Sequence, residues 1–393
     1  MKICGIICEY NPFHNGHLRQ IKYLKEQLGY DFVVCVMSGN FSQRALPSII
    51  DKYSRAESID NSVDLICQIP TAYAVNNGEV FATAGIKLLN GLNVDSVCFG
   101  VETMDKELFF ELSDILLNEP ESYSLTLKSE LKKGLSYKNA QLNSIRKCFK
   151  KGEIYVDLLS KPNNILALEY IKAIKRFNYN IEPILIERNS NFIDNTTSLN
   201  STIKSATFIR NLIVNNGYYK DYIPEKSFIS IRDNFYPIYM ENYKKIAFNL
   251  LFNYDKEKMK NTYLVSEGLE NKILSALIDS NDYDSLIKNI ASKRYDINKI
   301  NRIILNYILG INKNIINNLY VNEFSYCKVL RVNHTILKHL KPNLSLILRK
   351  NDITPEIQNN PIQIIENTAT LLSKFIYNKE ILYNDIFKKP IIY

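Results

Sequence analysis

Residues 5–17 read Gly5-Ile6-Ile7-Cys8-Glu9-Tyr10-Asn11-Pro12-Phe13-His14-Asn15-Gly16-His17, and they join two different periodicities. The apolar run 1–7 before the turn has the length of a buried strand. Residues 16–28 after it carry Leu18, Ile21, Leu24 and Leu28 at helical spacing. A helix is expected to begin at Gly16 or His17. The same alternation continues outward. Residues 32–37, 63–69 and 96–99 read as strands, and 51–61 and 77–90 as helices. Strand and helix at such short spacing predict βαβ units, hence an α/β fold with a parallel sheet and helices on both faces. Right-handed crossovers then bring the strand carboxyl ends to one edge, where open sheets of this kind bind ligands.

Beyond residue 102 the pattern loosens. Residues 103–150 are rich in Lys and Glu and predict helices with exposed faces. Pro162 opens a strong helix over 163–176, since proline suits a first helical turn. Residues 181–186 read as a strand, 189–201 as an Asn-, Ser- and Thr-rich loop, and 204–214 as a helix. From about 215 onward the periodicity is helical, with little strand signal before 345–348. These features predict two domains, an α/β unit over 1–215 and a mainly helical unit over 216–393.

The chain has 393 residues, 46% of them hydrophobic, which is enough for a sizeable core. Its net charge of +8 is uneven: residues 1–210 carry a net of +1 and residues 211–393 a net of +7. A polyanionic partner is expected to dock on the second half. No apolar run approaches the roughly 18–20 residues of a membrane span, and the first residues do not read as a secretory signal. The seven cysteines (4, 8, 35, 67, 98, 148 and 327) are odd in number and contain no C-x-x-C pair. They predict reduced core thiols in a cytoplasmic protein, with neither a disulfide framework nor a zinc site.

Two of the chain's four histidines, His14 and His17, sit at the expected helix start. Helix amino termini present unpaired N–H groups and a positive partial charge, and so suit a phosphate. Two imidazoles three residues apart can face one anion there. Gly16 permits close backbone approach, and Pro12 stiffens the turn. His334 and His339 are five apart, which does not place them on one helix face for metal ligation.

The H-x-G-H pattern resembles the nucleotidylyltransferase superfamily. The ordered set of residues 5–17, 36–57, 63–70, 98–102, 162–174, Glu187-Arg188 and 205–210 is more specifically similar to the tRNA(Met) cytidine acetate ligase family. Residues 326–340 are similar too, less specifically. This resemblance implies a Rossmann-like nucleotidylyltransferase domain followed by a helical, tRNA-binding domain. It implies an enzyme that forms acetyl-AMP from acetate and ATP, with Mg2+ bridging the phosphates. The acetyl group then passes to N4 of the wobble cytidine of elongator tRNA(Met), giving N4-acetylcytidine.

The resemblance also implies site residues. His14 and His17 take the catalytic role. Nucleotide contacts are implied for Ile7, Cys8, Glu9, Tyr10, Asn11, Pro12, Phe13, Asn15, Gly16, Gln20, Gly100, Asn163, Arg188, Ser205, Thr207 and Arg210, and a dedicated metal cage for none. Whether Asn163 or Asn164 faces the nucleotide stays open. Gln20, Val101 and Asn189 stand where the family commonly has His, a small hydroxyl residue and a further basic residue. Residues 38–44, with Gln43 and Arg44, read as a substrate-side loop. Lys52 and Arg55, three apart at a helix start, suit a phosphate-binding pair or a solvated face. Two other functions fit the first motif: adenylation of a small phosphorylated metabolite, and RNA binding by a vestigial nucleotide fold. The oligomeric state is not legible.

Overall fold

The computed structural model describes residues 1–188, 202–266, 268–292, 294–378 and 389–393. The loop expected at 189–201 lies outside them. The described strands are β1 (Ile3–Cys8), β2 (Phe32–Ser38), β3 (Leu65–Ile69), β4 (Ser96–Val101), β5 (Glu182–Glu187), β6 (Tyr326–Val332), β7 (Ser345–Ile347) and β8 (Ile391–Ile392). They form one sheet in the order β5-β4-β1-β2-β3-β6-β7, with β8 also beside β6. The first five are parallel. The order reverses at β1, whose neighbours are β2 and β4, so a crevice opens at the carboxyl ends of β1 and β4.

Both faces of the sheet are covered, as the continuous apolar strands require. On one face Cys4, Ile6, Cys8, Val33, Cys35 and Met37 pack with Ile21 and Leu24 and with Tyr53 and Ala56. These come from α1 (Asn15–Lys22), its π-helical continuation Tyr23–Gln27, and α2 (Lys52–Ser58). On the other face Val34, Val36, Val97 and Phe99 meet the helices Gly78–Gly91 and Pro162–Arg176. The helix Gly78–Gly91 lies so close to β1 that a Cβ at Gly85 would stand 2.6 Å from Ile7 Cδ1.

Two expectations are corrected here. Residues 1–215 do not make the sheet alone, because β6 pairs antiparallel with β3. Its sequence YCKVLRV carries Lys328 and Arg331, which hide a buried strand from a hydropathy reading. Arg331 is nonetheless 1% exposed. Its guanidinium donates to the carbonyls of Ile59 and Asp60 and to Asn61 Oδ1, and lies 4.2 Å from the Tyr393 ring centroid.

The second correction concerns Lys52 and Arg55, which form neither a phosphate-binding pair nor a solvated face, since both are fully buried. Lys52 Nζ donates to Gln68 Oε1 (2.8 Å) and Glu366 Oε1 (3.0 Å). Arg55 donates to the carbonyls of Glu9, Ser38 and Gly39. It thereby ties together the chain segments leaving β1 and β2. Asp51 caps α2 by accepting from the Tyr53 and Ser54 N–H groups.

Candidate active site

β1 ends at Cys8, and the chain turns at once. Tyr10 has φ +46° and the Asn11–Pro12 peptide is cis. A non-glycine residue in the left-handed region costs about 1–3 kcal/mol and persists where surroundings over-determine it. Here the Tyr10 ring is buried, 5.0 Å from Phe13 and 4.7 Å from His17. Its hydroxyl is 3.5 Å from Cys35 Sγ.

The helix starts at Asn15, one or two residues earlier than expected, because His14 itself is the cap. His14 Nδ1 accepts from the Gly16 N–H (3.1 Å), and His17 Nδ1 accepts from the His14 N–H (3.3 Å). The two rings stack with centroids 3.6 Å apart. These bonds assign the proton of each neutral imidazole to Nε2. Both rings line a cavity of about 270 Å3 at the crevice between β1 and β4. His14 Nε2 is buried there without a hydrogen-bond partner. Burial first, then Arg188 and Arg210, depress the His14 pKa to about 3. Burial, His14 and Arg188 hold His17 well below its ordinary value. The pair is therefore neutral at pH 7 and offers N–H donors to an anion without carrying charge itself.

Arg210 and Arg188 flank the histidines on the cavity wall. Arg210 donates to the Asn11 carbonyl (2.6 Å) and to Thr207 Oγ1 (2.9 Å). Arg188 donates to Asn163 Oδ1 (2.6 Å), whose Nδ2 donates to Glu102 Oε1. Glu102 also accepts from the Asn164 N–H at the start of the helix Pro162–Arg176 (3.1 Å). The Arg188 stem lies across Gly100, where a Cβ would meet Arg188 Cγ at 2.6 Å. Only glycine leaves room for it. Of the two asparagines, Asn163 is on the cavity wall, while Asn164 is buried and donates to Thr103 Oγ1 at 2.9 Å.

Of the site residues expected from sequence, Ile7, Cys8, Glu9, Tyr10, Asn11, His14, His17, Gln20, Gly100, Asn163, Arg188 and Arg210 share this cavity. Pro12, Phe13, Asn15, Gly16, Ser205 and Thr207 do not line it. Phe13 is buried beside Tyr10 and His17. Asn15 Nδ2 donates to the Asp221 carbonyl (2.8 Å). Ser205 is the exposed cap of the helix Ala206–Val214. Gln20 donates to Cys98 Sγ (3.3 Å).

Sequence reasoning missed Leu166 and Tyr170 on the wall. Their spacing of three and seven from Asn163 was the available signal. It also missed Glu102, whose role is set by a helix distant in sequence. Burial pushes the Cys8 and Cys98 thiols up, so they stay protonated and are poor nucleophiles. Among the described residues no group of three or more His, Cys, Asp or Glu could hold a metal ion. No described helix is long and apolar enough to cross a membrane.

Residues 1–383 match the family model for HIGH nucleotidyl transferases. A tRNA(Met) cytidine acetate ligase of Clostridium novyi is 34% identical over 409 residues, covering 100% of each chain. One from Clostridium kluyveri is 35% identical over 413 residues, covering 100% of this chain and 99% of its own. The chain belongs to the tRNA(Met) cytidine acetate ligase family. A crystal structure of Thermotoga maritima TmcAL bound with alpha-thio ATP superposes with a TM-score of 0.89. It is 27% identical and covers 100% of this chain and 99% of its own. This member of the family thus combines the fold of its relatives with a histidine pair whose tautomer is set by helix capping.

The histidine pair carries a pH signature. Its folded-state pKa values lie below the unfolded value of 6.5. As pH falls below 6.5, the unfolded chain takes up protons that the folded chain refuses, so stability falls. Above 6.5 this contribution is complete. Urea unfolding at about pH 7.5 and about pH 5 is expected to show a loss on the order of 2 kcal/mol per histidine, about 4 kcal/mol from the pair. His14→Asn and His17→Asn together should flatten that dependence. An unchanged slope would show that the imidazoles are not held neutral.

Proposed function

We propose that the protein joins acetate to N4 of the wobble cytidine of elongator tRNA(Met) at the expense of ATP. An acetate oxygen attacks the α-phosphorus, the bond to the β-phosphate oxygen breaks, and pyrophosphate leaves. The N4 amine then attacks the acetyl carbonyl of acetyl-AMP. AMP leaves, and the amine gives up a proton. Cytidine N4 is a weak nucleophile because its lone pair is delocalised into the ring, which accounts for the activated anhydride.

The observation that carries this reading is the pair of Nε2–H imidazoles between two arginines at the β1–β4 crevice. In-line displacement at phosphorus asks the protein for position and charge neutralisation. His14 and His17 would donate to phosphate oxygens at the start of α1, while Arg188 and Arg210 supply positive charge. Mg2+ would enter with the nucleotide and would neutralise phosphate charge; among the described residues no cluster of three or more His, Cys, Asp or Glu would cage it. The basic second half suits the tRNA backbone. The protein would work in the cytoplasm, where its substrates are.

The direct test is nucleoside analysis of elongator tRNA(Met) incubated with purified protein, ATP and labelled acetate. Labelled N4-acetylcytidine at the wobble position is expected. Exchange of pyrophosphate into ATP that needs a phosphorylated small molecule and ignores acetate would instead favour metabolite adenylation. Within the same reading, Glu102 acts through Asn163 to aim Arg188. Glu102→Gln lets the Asn163 amide turn over. It is expected to raise KM for ATP about fivefold, the scale of one charge-assisted hydrogen bond, with kcat within about twofold. Equal losses in both would mean that Glu102 does not position the ground-state nucleotide.

A further inference from the structure

A second cavity, of about 540 Å3, lies at the same edge of the sheet between β3 and β6. Gln68 and Pro70 at the end of β3 and Tyr326 at the start of β6 contribute to it. The helices Lys313–Val321 and Pro361–Tyr377 wall it further. It shares no lining residue with the histidine cavity. Three strand spacings separate the two, about 15 Å along the edge.

The wall chemistry is specific. Tyr73, Phe324 and Tyr326 supply aromatic faces, with Tyr73 and Phe324 edge to face at 5.8 Å. Carboxamides recur around the cavity, among them Asn314, Asn318, Gln363 and Gln68. Gln68 Nε2 is buried without a hydrogen-bond partner, and Tyr326 Oη is a long 3.5 Å from Gln363 Oε1. The charged side chains on the wall are all engaged. Glu366 meets Lys52 (3.0 Å), Glu323 meets Lys87 (3.2 Å), and Lys328 also has a partner. Among the described residues of the wall, no unpaired cation is left to hold a phosphate. A flat, uncharged group with donors and acceptors on its edge fits this lining. Aromatic faces stack such a group, and amides read its edge. The volume is in the range of small-molecule sites.

We propose that this cavity takes an unpaired nucleobase of the tRNA, a neighbour of the cytidine that is acetylated. The proposal rests on the RNA substrate put forward above. A base held here, on the same sheet edge as the nucleotide crevice, would fix the register of the loop so that one cytidine reaches the acetyl group.

Asn318 is exposed on the cavity wall, so Asn318→Trp fills the cavity without disturbing the core. Phe324→Ala removes a stacking face. Two readouts are taken on the full-length protein: acetate-dependent ATP–pyrophosphate exchange, and binding of unmodified elongator tRNA(Met) beside a fully double-stranded RNA. Both variants are expected to keep exchange, to bind tRNA about tenfold more weakly, and to bind duplex RNA as before. Affinity for tRNA within about twofold of the unaltered protein in both variants overturns the proposal. So does equal weakening toward tRNA and duplex. Absence of exchange in the unaltered protein counts against the acetate ligase reading and leaves the binding comparison able to decide this one.

Discussion

His17→Ala is expected to lower acetate-dependent ATP–pyrophosphate exchange by about 10²–10³-fold, the usual cost of removing one preorganised donor to developing charge. The effect is large because the donor is placed in advance. The His17 ring is held between His14 and Tyr10, and its Nδ1 is engaged by the His14 N–H. Its Nε2–H therefore has no need to reorganise when charge develops. The same change removes half of a capping box, worth about 1 kcal/mol of stability. Thermal unfolding of the variant separates the two effects: a folded protein with little exchange supports the donor role. Exchange within about threefold of the unaltered protein would remove the histidine pair from the mechanism.

Arg55→Ala is expected to destabilise the protein by about 3–5 kcal/mol, a large part of the stability of a typical domain. Its guanidinium is fully buried and donates to three backbone carbonyls, those of Glu9, Ser38 and Gly39. Truncation leaves these acceptors buried without donors, at about 1–3 kcal/mol each before relaxation. Arg55→Lys should recover little, because a single ammonium cannot span two chain segments as a planar fork does. Urea unfolding measures both variants, and a lysine variant as stable as the parent would refute the bridging role. Glu9 and Tyr10 follow β1 directly, so partial unfolding here should also loosen the histidine turn.

The sequence carried the architecture where the signal is local. Alternation of short apolar runs with helical spacing marks the five parallel strands, since burial on both faces leaves each strand apolar throughout. The junction at residues 8–17 is legible for the same reason: strand, tight turn and helix start are neighbours in the chain. Gly100 and Asn163 are marked by family likeness, and both lie on the same cavity wall.

What depends on distant partners was not legible. β6 looked helical or irregular because Lys328 and Arg331 break its apolar run. Arg331 is buried only because carbonyls at 59–60 and the Tyr393 ring receive it. Lys52 reads as a phosphate ligand or a solvated charge until Glu366, 314 residues away, supplies its counter-charge. The link from Glu102 through Asn163 to Arg188, and the amide-lined cavity beside β6, likewise exist only once separate segments meet. Periodicity reports which face of an element is buried, and each element writes that into its own residues. The cost of burying a charge or a polar group is settled by whichever partner arrives from elsewhere in the chain, so folding alone decides which such residues become framework and which face a ligand.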